Sequence, residues 1–349
     1  MFEWHETSPA PQPRPPPPDP LPEGEGAGTL PAMTRFILRR LLQTAIVLLV
    51  MSFAIYCLIG LMPGDPIDLM MASNPGMTPE AAQRLRAIYG LDQPLVFRYL
   101  HWLQAALQGD LGYSRVHSRP VLEVMGPALW QTTKLMLGGF TLAVVLALAL
   151  GTLAALRPGG WVDGLVSVLA LAGVSVPVFW LALVFILVFA VNLHWLPAGG
   201  TANVGDGGWA DMLRHLALPV LTLALSTAGQ FVRYVRAAMV DVLRMDHIRT
   251  ARAKGAPEPR VIRAHALRNA MIPVVTVVAL SFGTLFGGAL ITETMFAQPG
   301  MGKMIYDSIL GNDFNLALAG LLFATLVTLA SNLLADLAYG WLDPRISLK

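Results

Sequence analysis

The sequence predicts an all-α polytopic membrane protein with six transmembrane helices and both termini in the cytoplasm. Three observations carry this. First, only 13% of the 349 residues are charged, 55% are hydrophobic, and the mean hydropathy is +0.58. A soluble domain carries about 25% charged residues, so this chain has too little ionic surface to stay dissolved in water. Second, six long intervals hold no Asp, Glu, Lys or Arg: residues 41–64, 135–156, 164–205, 215–232, 269–292 and 314–335. A spanning helix needs about 20 mainly apolar residues and satisfies its own backbone groups, which hydrocarbon cannot do. Third, the basic residues gather at one set of interval ends. The net charge of +2 is too small for a nucleic-acid-binding face. A single cysteine, Cys57, excludes an internal disulfide or a cysteine-based metal cluster.

Residues 1–33 form a proline-rich tail, with Pro15 to Pro18 consecutive, and are expected to be disordered. Met33-Thr34-Arg35 reads as a second start. The first interval follows Arg35, Arg39 and Arg40, but it is too long for a signal core of about 7–15 residues. Met62-Pro63-Gly64-Asp65-Pro66 is also no small-x-small cleavage site, so residues 34–64 make a retained helix. Residues 65–134 are an external segment in which Thr78-Pro79-Glu80 starts one helix and residues 99–107 form another. It is either a docking surface or a cap that steadies the spans. Residues 135–343 hold the other five helices and a cytoplasmic loop at 241–271, and residues 344–349 are a short tail. The third interval is over-long. Asn192, Leu196-Pro197 and Gly199-Gly200 place the end of its helix near Val191.

Positive charge marks cytoplasmic loops. Arg233, Arg236, Arg244, Arg249, Arg252, Lys254, Arg260, Arg263 and Arg268 face only Asp241, Asp246 and Glu258 in that stretch. The segments 206–214 and 293–313 are acidic on balance. Trp180, Trp195 and Trp341 stand near predicted helix ends, as interfacial anchors do.

Within the basic loop lies Asp246-His247-Ile248-Arg249-Thr250-Ala251-Arg252-Ala253-Lys254-Gly255. Asp246 is expected to cap a helix. Arg252 and Lys254 suit its negative end, and Gly255 suits the left-handed position beyond it. Pro257 and Pro259 then precede a second helical stretch, residues 260–271. Ala251 and Ala253 would admit a closely packed partner. An ordinary basic loop beside anionic lipid is the other reading.

Arg249-Thr250-Ala251-Arg252-Ala253-Lys254-Gly255, followed by His265-Ala266-Leu267-Arg268-Asn269-Ala270-Met271-Ile272-Pro273, resembles the cytoplasmic loop of ABC importer permeases of the dipeptide/oligopeptide type. Pro63-Gly64-Asp65-Pro66, Tyr89-Gly90-Leu91-Asp92-Gln93-Pro94, Gly109-Asp110-Leu111-Gly112 and Ser175-Val176-Pro177-Val178-Phe179-Trp180 agree with that family. So do Trp195-Leu196-Pro197-Ala198-Gly199-Gly200, Glu293-Thr294-Met295-Phe296, Pro299-Gly300-Met301-Gly302 and Leu342-Asp343-Pro344-Arg345-Ile346. There are two departures. Arg249-Thr250-Ala251 stands where the general signature has Glu-Ala-Ala, and His265-Ala266-Leu267-Arg268 replaces the usual Ile-x-Leu-Pro. Glu-based contacts of other subgroups therefore do not carry over.

The resemblance implies a type I ABC importer permease fold, B-type transmembrane subunit. It implies a second homologous permease, two cytoplasmic ABC ATPase subunits that bind ATP and magnesium, and an external solute-binding protein. Asp246 to Gly255 would be the coupling helix seated in the ATPase, and the solute a dipeptide or oligopeptide, with glutathione or nickel as alternatives. The chain itself would bind no cofactor and catalyse nothing. Accordingly it has no G-x-x-x-x-G-K-[ST] phosphate loop. Gly300-Met301-Gly302-Lys303 hints at one, but Met304 replaces the magnesium-binding hydroxyl, and a turn into an external helix fits better.

Pro177, Pro219 and Pro273 lie in or beside helices three to five, where each can kink its helix or simply set its packing. Ser175, Ser226, Thr227, Gln230, Ser281 and Thr284 are the polar groups available to line a pathway; in lipid such groups also bond neighbouring helices. An ion-coupled carrier would place ionisable residues inside the membrane, and the six intervals lack them. The seven histidines are scattered, and there is no H-E-x-x-H or G-x-S-x-G, which speaks against an embedded enzyme or metal site.

Overall fold

The computed structural model describes residues 30–61, 67, 71, 76–88, 92–203, 205 and 207–342. Of the tail expected at 1–33, residues 1–29 lie outside the described residues, as do the Pro63-Gly64-Asp65-Pro66 and Tyr89-Gly90-Leu91 blocks and residues 343–349; residues 30–33 are already the first turn of a helix.

Apolar runs become helices because each helix closes its own backbone hydrogen bonds. Helix α1 is Leu30–Gly60. Two short helices follow, α2 (Pro79–Ile88) and α3 (Leu95–Leu107). The expected start at Thr78 is present, with its hydroxyl accepting the Ala81 N–H at 3.3 Å. A small antiparallel pair, β1 (Tyr113–Ser114) and β2 (Arg119–Pro120), leads into the 36-residue α4, Val121–Leu156. Then come α5 (Trp161–Ser175) and α6 (Val178–Phe185), the latter continuing as π-helix to Asn192. Helix α7 spans Trp209–Leu243, and α8 is Asp246–Ala253. Helical Glu258–Arg260 and the π-helical Val261–Leu267 run directly into α9, Arg268–Met295. The chain ends with α10 (Met301–Leu310) and α11 (Phe314–Leu342).

Among the described residues, five segments are long and apolar enough to cross a membrane: Ile37–Gly60, Val121–Leu156, Trp209–Leu243, Glu258–Gly283 and Phe314–Leu334. The third expected helix is a correction. It stops at Ser175, and Val178–Asn192 leaves at 105°, so the interval is a bent pair that makes a sixth span only if counted as one. Pro177 is the physical reason, since it lacks an N–H and disfavours helix at Val176, which is extended (ψ 125°). The stretch expected at 260–271 is likewise no separate helix, because it continues from Glu258 without interruption.

Helices α4 and α7 pack along a stripe of small residues, Ala143, Ala147, Gly151 and Ala154, all buried and spaced at helical intervals. Small side chains let backbones approach where hydrocarbon supplies no hydrophobic drive. A Cβ at Gly151 would meet the Val232 carbonyl oxygen at 2.9 Å. At the α8 end of the bundle, Met239, Val242, Ile248, Val261 and Ala266 share one core with Ala154, Ala155 and Val166. At the opposite end, Val121, Met125, Met301, Met304, Ile305 and Leu316 form another.

Candidate functional site

The ten residues singled out in the basic loop form one compact device. Helix α8 is tied to the body by Ile248, which is fully buried in the core, and by half-buried Ala251 one turn on. Burying a side chain of that size contributes about 1.5–3 kcal/mol. The other positions are exposed; at 100° per residue Asp246, Thr250 and Ala253 lie opposite Ile248, and Arg249 lies on the flank. Of the two alanines expected to admit a partner, only Ala253 is therefore on the open face.

The helix ends differ from expectation in one respect. Asp246 is the first helical residue rather than the cap; Met245 holds the cap position, with no side-chain hydrogen bond. The Asp246 carboxylate instead accepts from Arg249 Nη1 at 3.2 Å, and its carbonyl accepts from the Thr250 hydroxyl at 2.9 Å. An acid in the first turn still favours the positive end of the dipole. At the other end Gly255 has φ +77°. Its N–H donates to the Arg252 carbonyl at 2.9 Å and the Ala256 N–H to the Ala251 carbonyl at 3.2 Å. Those two bonds around a left-handed glycine make a Schellman cap.

The helix is braced on both sides. The Arg252 guanidinium forks onto Glu258, with Nη2 at 2.5 Å and Nε at 3.2 Å, and this hydrogen bonding raises the Arg252 pKa above its ordinary value. His247 Nε2 lies 3.2 Å from Asn269 Nδ2. Nearby, Arg236 forks onto the Asp163 carboxylate (Nε 2.5 Å, Nη2 2.7 Å), joining the start of α5 to the α8 end of α7. Sequence reading gave this pair no role: the partners stand 73 positions apart.

The opposite end holds a polar network that also escaped it. Glu293 is fully buried. Its carboxylate accepts from the Thr132 hydroxyl at 2.5 Å and from the Lys303 N–H at 3.1 Å. The Met301 N–H donates to Thr132 at 2.7 Å. A helix N-terminus readily binds an anion, and at α10 the protein's own carboxylate fills that place. The Gly300-Met301-Gly302-Lys303 run thus enters a helix, as expected, and leaves no room for a phosphate. A Cβ at Gly300 would sit 2.2 Å from the Glu293 carboxyl carbon. Gln298, also buried, donates to the Gly200 carbonyl at 2.7 Å and accepts from Gln131. Asp211 accepts from the Asn203 N–H and amide group at 2.6 and 2.7 Å. The one available signal was the set of sequence blocks at 195–200, 293–296 and 299–302, which meet here.

The structure places the pathway candidates on α5, α7 and α9. Ser226 and Ser281 hydroxyls donate to their own helix, to Leu223 (2.9 Å) and Val277 (2.8 Å) carbonyls. Ser175 and Gln230 are exposed on α5 and α7, and the Thr284 side chain lies outside the described residues. The cavity of about 430 Å³ between α4, α9 and α11 is walled by Phe140, Val144, Met271, Val275, Val278, Phe282, Ser331 and Leu334, with none of the candidates whose side chains are described among them.

A bundle of long apolar helices carrying an externally braced short helix at one end defines a multi-pass membrane protein. The chain belongs to the family described as "Binding-protein-dependent transport system inner membrane component", whose model matches residues 147–348, and the companion N-terminal model matches residues 33–131. It is accordingly an ABC importer permease of the inner membrane, a transport subunit and not an enzyme. It is 40% identical over 318 residues to a protein named as a peptide permease in Brucella suis biovar 1, covering 90% of this chain and all of that one. It is 37% identical over 317 residues to the glutathione transport system permease protein of Escherichia coli K12, covering 91% of this chain and all of that one. An amino acid ABC transporter solved with histidines aligns with a TM-score of 0.45 at 16% identity, covering 62% of this chain and 94% of that chain.

Proposed function

We propose that the chain is one of two homologous permeases that together conduct dipeptides or oligopeptides, delivered by an external solute-binding protein, into the cytoplasm. Residues 34–64 and the bent pair each count as one span, giving six, with both termini and the 241–271 loop in the cytoplasm. Residues 65–134 and α10 then face outward, and residues 1–33 are an appendage. Asp246 to Gly255 serves as the coupling helix, with Asp246, Arg249, Thr250 and Ala253 meeting one of two cytoplasmic ATPases. ATP and magnesium are held by those partners.

The observation that carries this is the mounting of α8. Ile248 anchors it in the core shared by α4, α5 and α7, while its opposite face is open. A displacement applied to that face passes through close-packed side chains to the inner ends of three long helices, because packed cores shift as units rather than deform smoothly. Peptide as the solute draws on the peptide-permease name of the 40% relative. The glutathione relative keeps a peptide with an unusual linkage in play.

The test is reconstitution of this chain in liposomes with its partner permease, ATPases and binding protein, loaded inside with ATP. Labelled dipeptide should accumulate with ATP and ignore an imposed proton gradient. Accumulation driven by the gradient without ATP defeats the importer mechanism. Accumulation of glutathione or nickel, with no response to dipeptides or longer peptides, defeats the solute assignment alone.

A further inference from the structure

Helix α3 belongs to the segment expected outside the membrane, yet its contacts lie alongside a span. The Tyr99 and Ser52 hydroxyls are 2.7 Å apart, and the Tyr99 hydroxyl also reaches the Leu49 carbonyl at 3.4 Å. Ser52 lies eight residues before Gly60, about 12 Å of helix below the end of α1. The Tyr99 ring packs edge-on against Phe53 (5.0 Å) and Tyr56 (5.6 Å), and Trp102 tilts onto Tyr56 at 5.9 Å. Trp102 also joins the core formed by Ile55, Ile59, Ala317 and Leu318. Helix α3 is therefore applied to the last third of α1 and the first turns of α11, within the apolar stretches of both candidate spans.

Its other side is mainly apolar and uncovered, although Gln104 is exposed on it in the same row as Val96 and Leu100, and Phe97 (57% exposed) borders it. Val96, Leu100 and Leu107 are 52%, 50% and 81% exposed. They share a face by their spacing of four and seven residues. The stretch of α1 against which α3 packs also exposes apolar side chains, with Leu49, Val50 and Leu58 at 52%, 60% and 65%. His101 lies away from the stripe and is also exposed. A helix with an apolar side and a polar side lies in a bilayer interface with the apolar side buried in acyl chains.

From this we infer that α3 is a membrane-embedded helix, with Val96, Leu100 and Leu107 in the acyl chains of the leaflet opposite α8. Helix α3 then widens the lipid-facing wall and holds α1 against α11. The leaflet assignment rests on the orientation proposed above; insertion in lipid does not.

The experiment uses the full transporter in liposomes with Cys57→Ala as background. Single cysteines V96C, L100C and H101C carry a nitroxide, with V50C as a reference on α1. Accessibility to oxygen and to a water-soluble nickel chelate is read by power saturation. Labels at 96 and 100 should match that at 50, with an oxygen-to-nickel ratio several-fold above that at 101. Nickel access at 96 and 100 equal to that at 101 overturns the inference and makes the face a water-side surface suited to the binding protein. Low access to both probes also overturns it and points to cover by the second permease. Loss of oxygen access at 50 instead tells against α1 as a lipid-facing span, a different failure.

Discussion

Gly255 is where a single substitution best tests the α8 device. Its φ of +77° is a left-handed conformation, and nothing lies within 4 Å of where a Cβ would sit. Bulk alone should therefore matter little, and backbone strain should matter most. An L-residue in that conformation costs about 1–2 kcal/mol. At 1.4 kcal/mol per factor of ten, the closed-to-open ratio of the cap falls about 5- to 30-fold for Gly255→Ala. Gly255→Asn should lose less, since asparagine visits this region, and Gly255→Val more, since β-branched residues resist it. The direct reporter is hydrogen exchange at the Ala256 amide, which bonds to the Ala251 carbonyl at 3.2 Å. Exchange should quicken in the order Gly, Asn, Ala, Val, and ATP-driven import in proteoliposomes should fall in the same order while membrane insertion is unchanged. Wild-type exchange and import in Gly255→Val would falsify the link between the cap and coupling.

Two further outcomes follow from the buried polar groups. Glu293→Leu strands the Thr132 hydroxyl and the Lys303 amide, each at a cost of about 1–3 kcal/mol. It should lower the thermal unfolding midpoint in nanodiscs more than Thr132→Val does, and equal midpoints would contradict the network. Arg236→Met should loosen the α5–α7 junction and lower the same midpoint. The reversed pair Asp163→Arg with Arg236→Asp should recover part of the loss, and no recovery would mean that the fork contributes little beyond packing.

The spans were legible because a membrane imposes its rule locally. Hydrocarbon rejects charge wherever it occurs, so charge-free intervals along the chain mark helices without knowledge of their neighbours. The end of α8 was legible for a similar reason, since Gly255 declares its own backbone conformation. The start was not: Asp246 looks like a cap, but Met245 occupies that position because α8 begins one residue earlier than its composition suggests.

Charge, helical spacing and one glycine, all properties of short stretches, thus determined the class of protein and the place of its cytoplasmic helix. Only the tertiary structure decided that Ala251 turns inward while Ala253 stays open, because that depends on which side Ile248 is buried. It also decided the 105° turn after Ser175, where Pro177 ends a helix that composition alone would have continued. The same holds for the pairing of Glu293 with Thr132 across 161 positions and of Arg236 with Asp163 across 73. A buried polar group must find a partner wherever folding brings one, and that partner carries no mark in the sequence beside it.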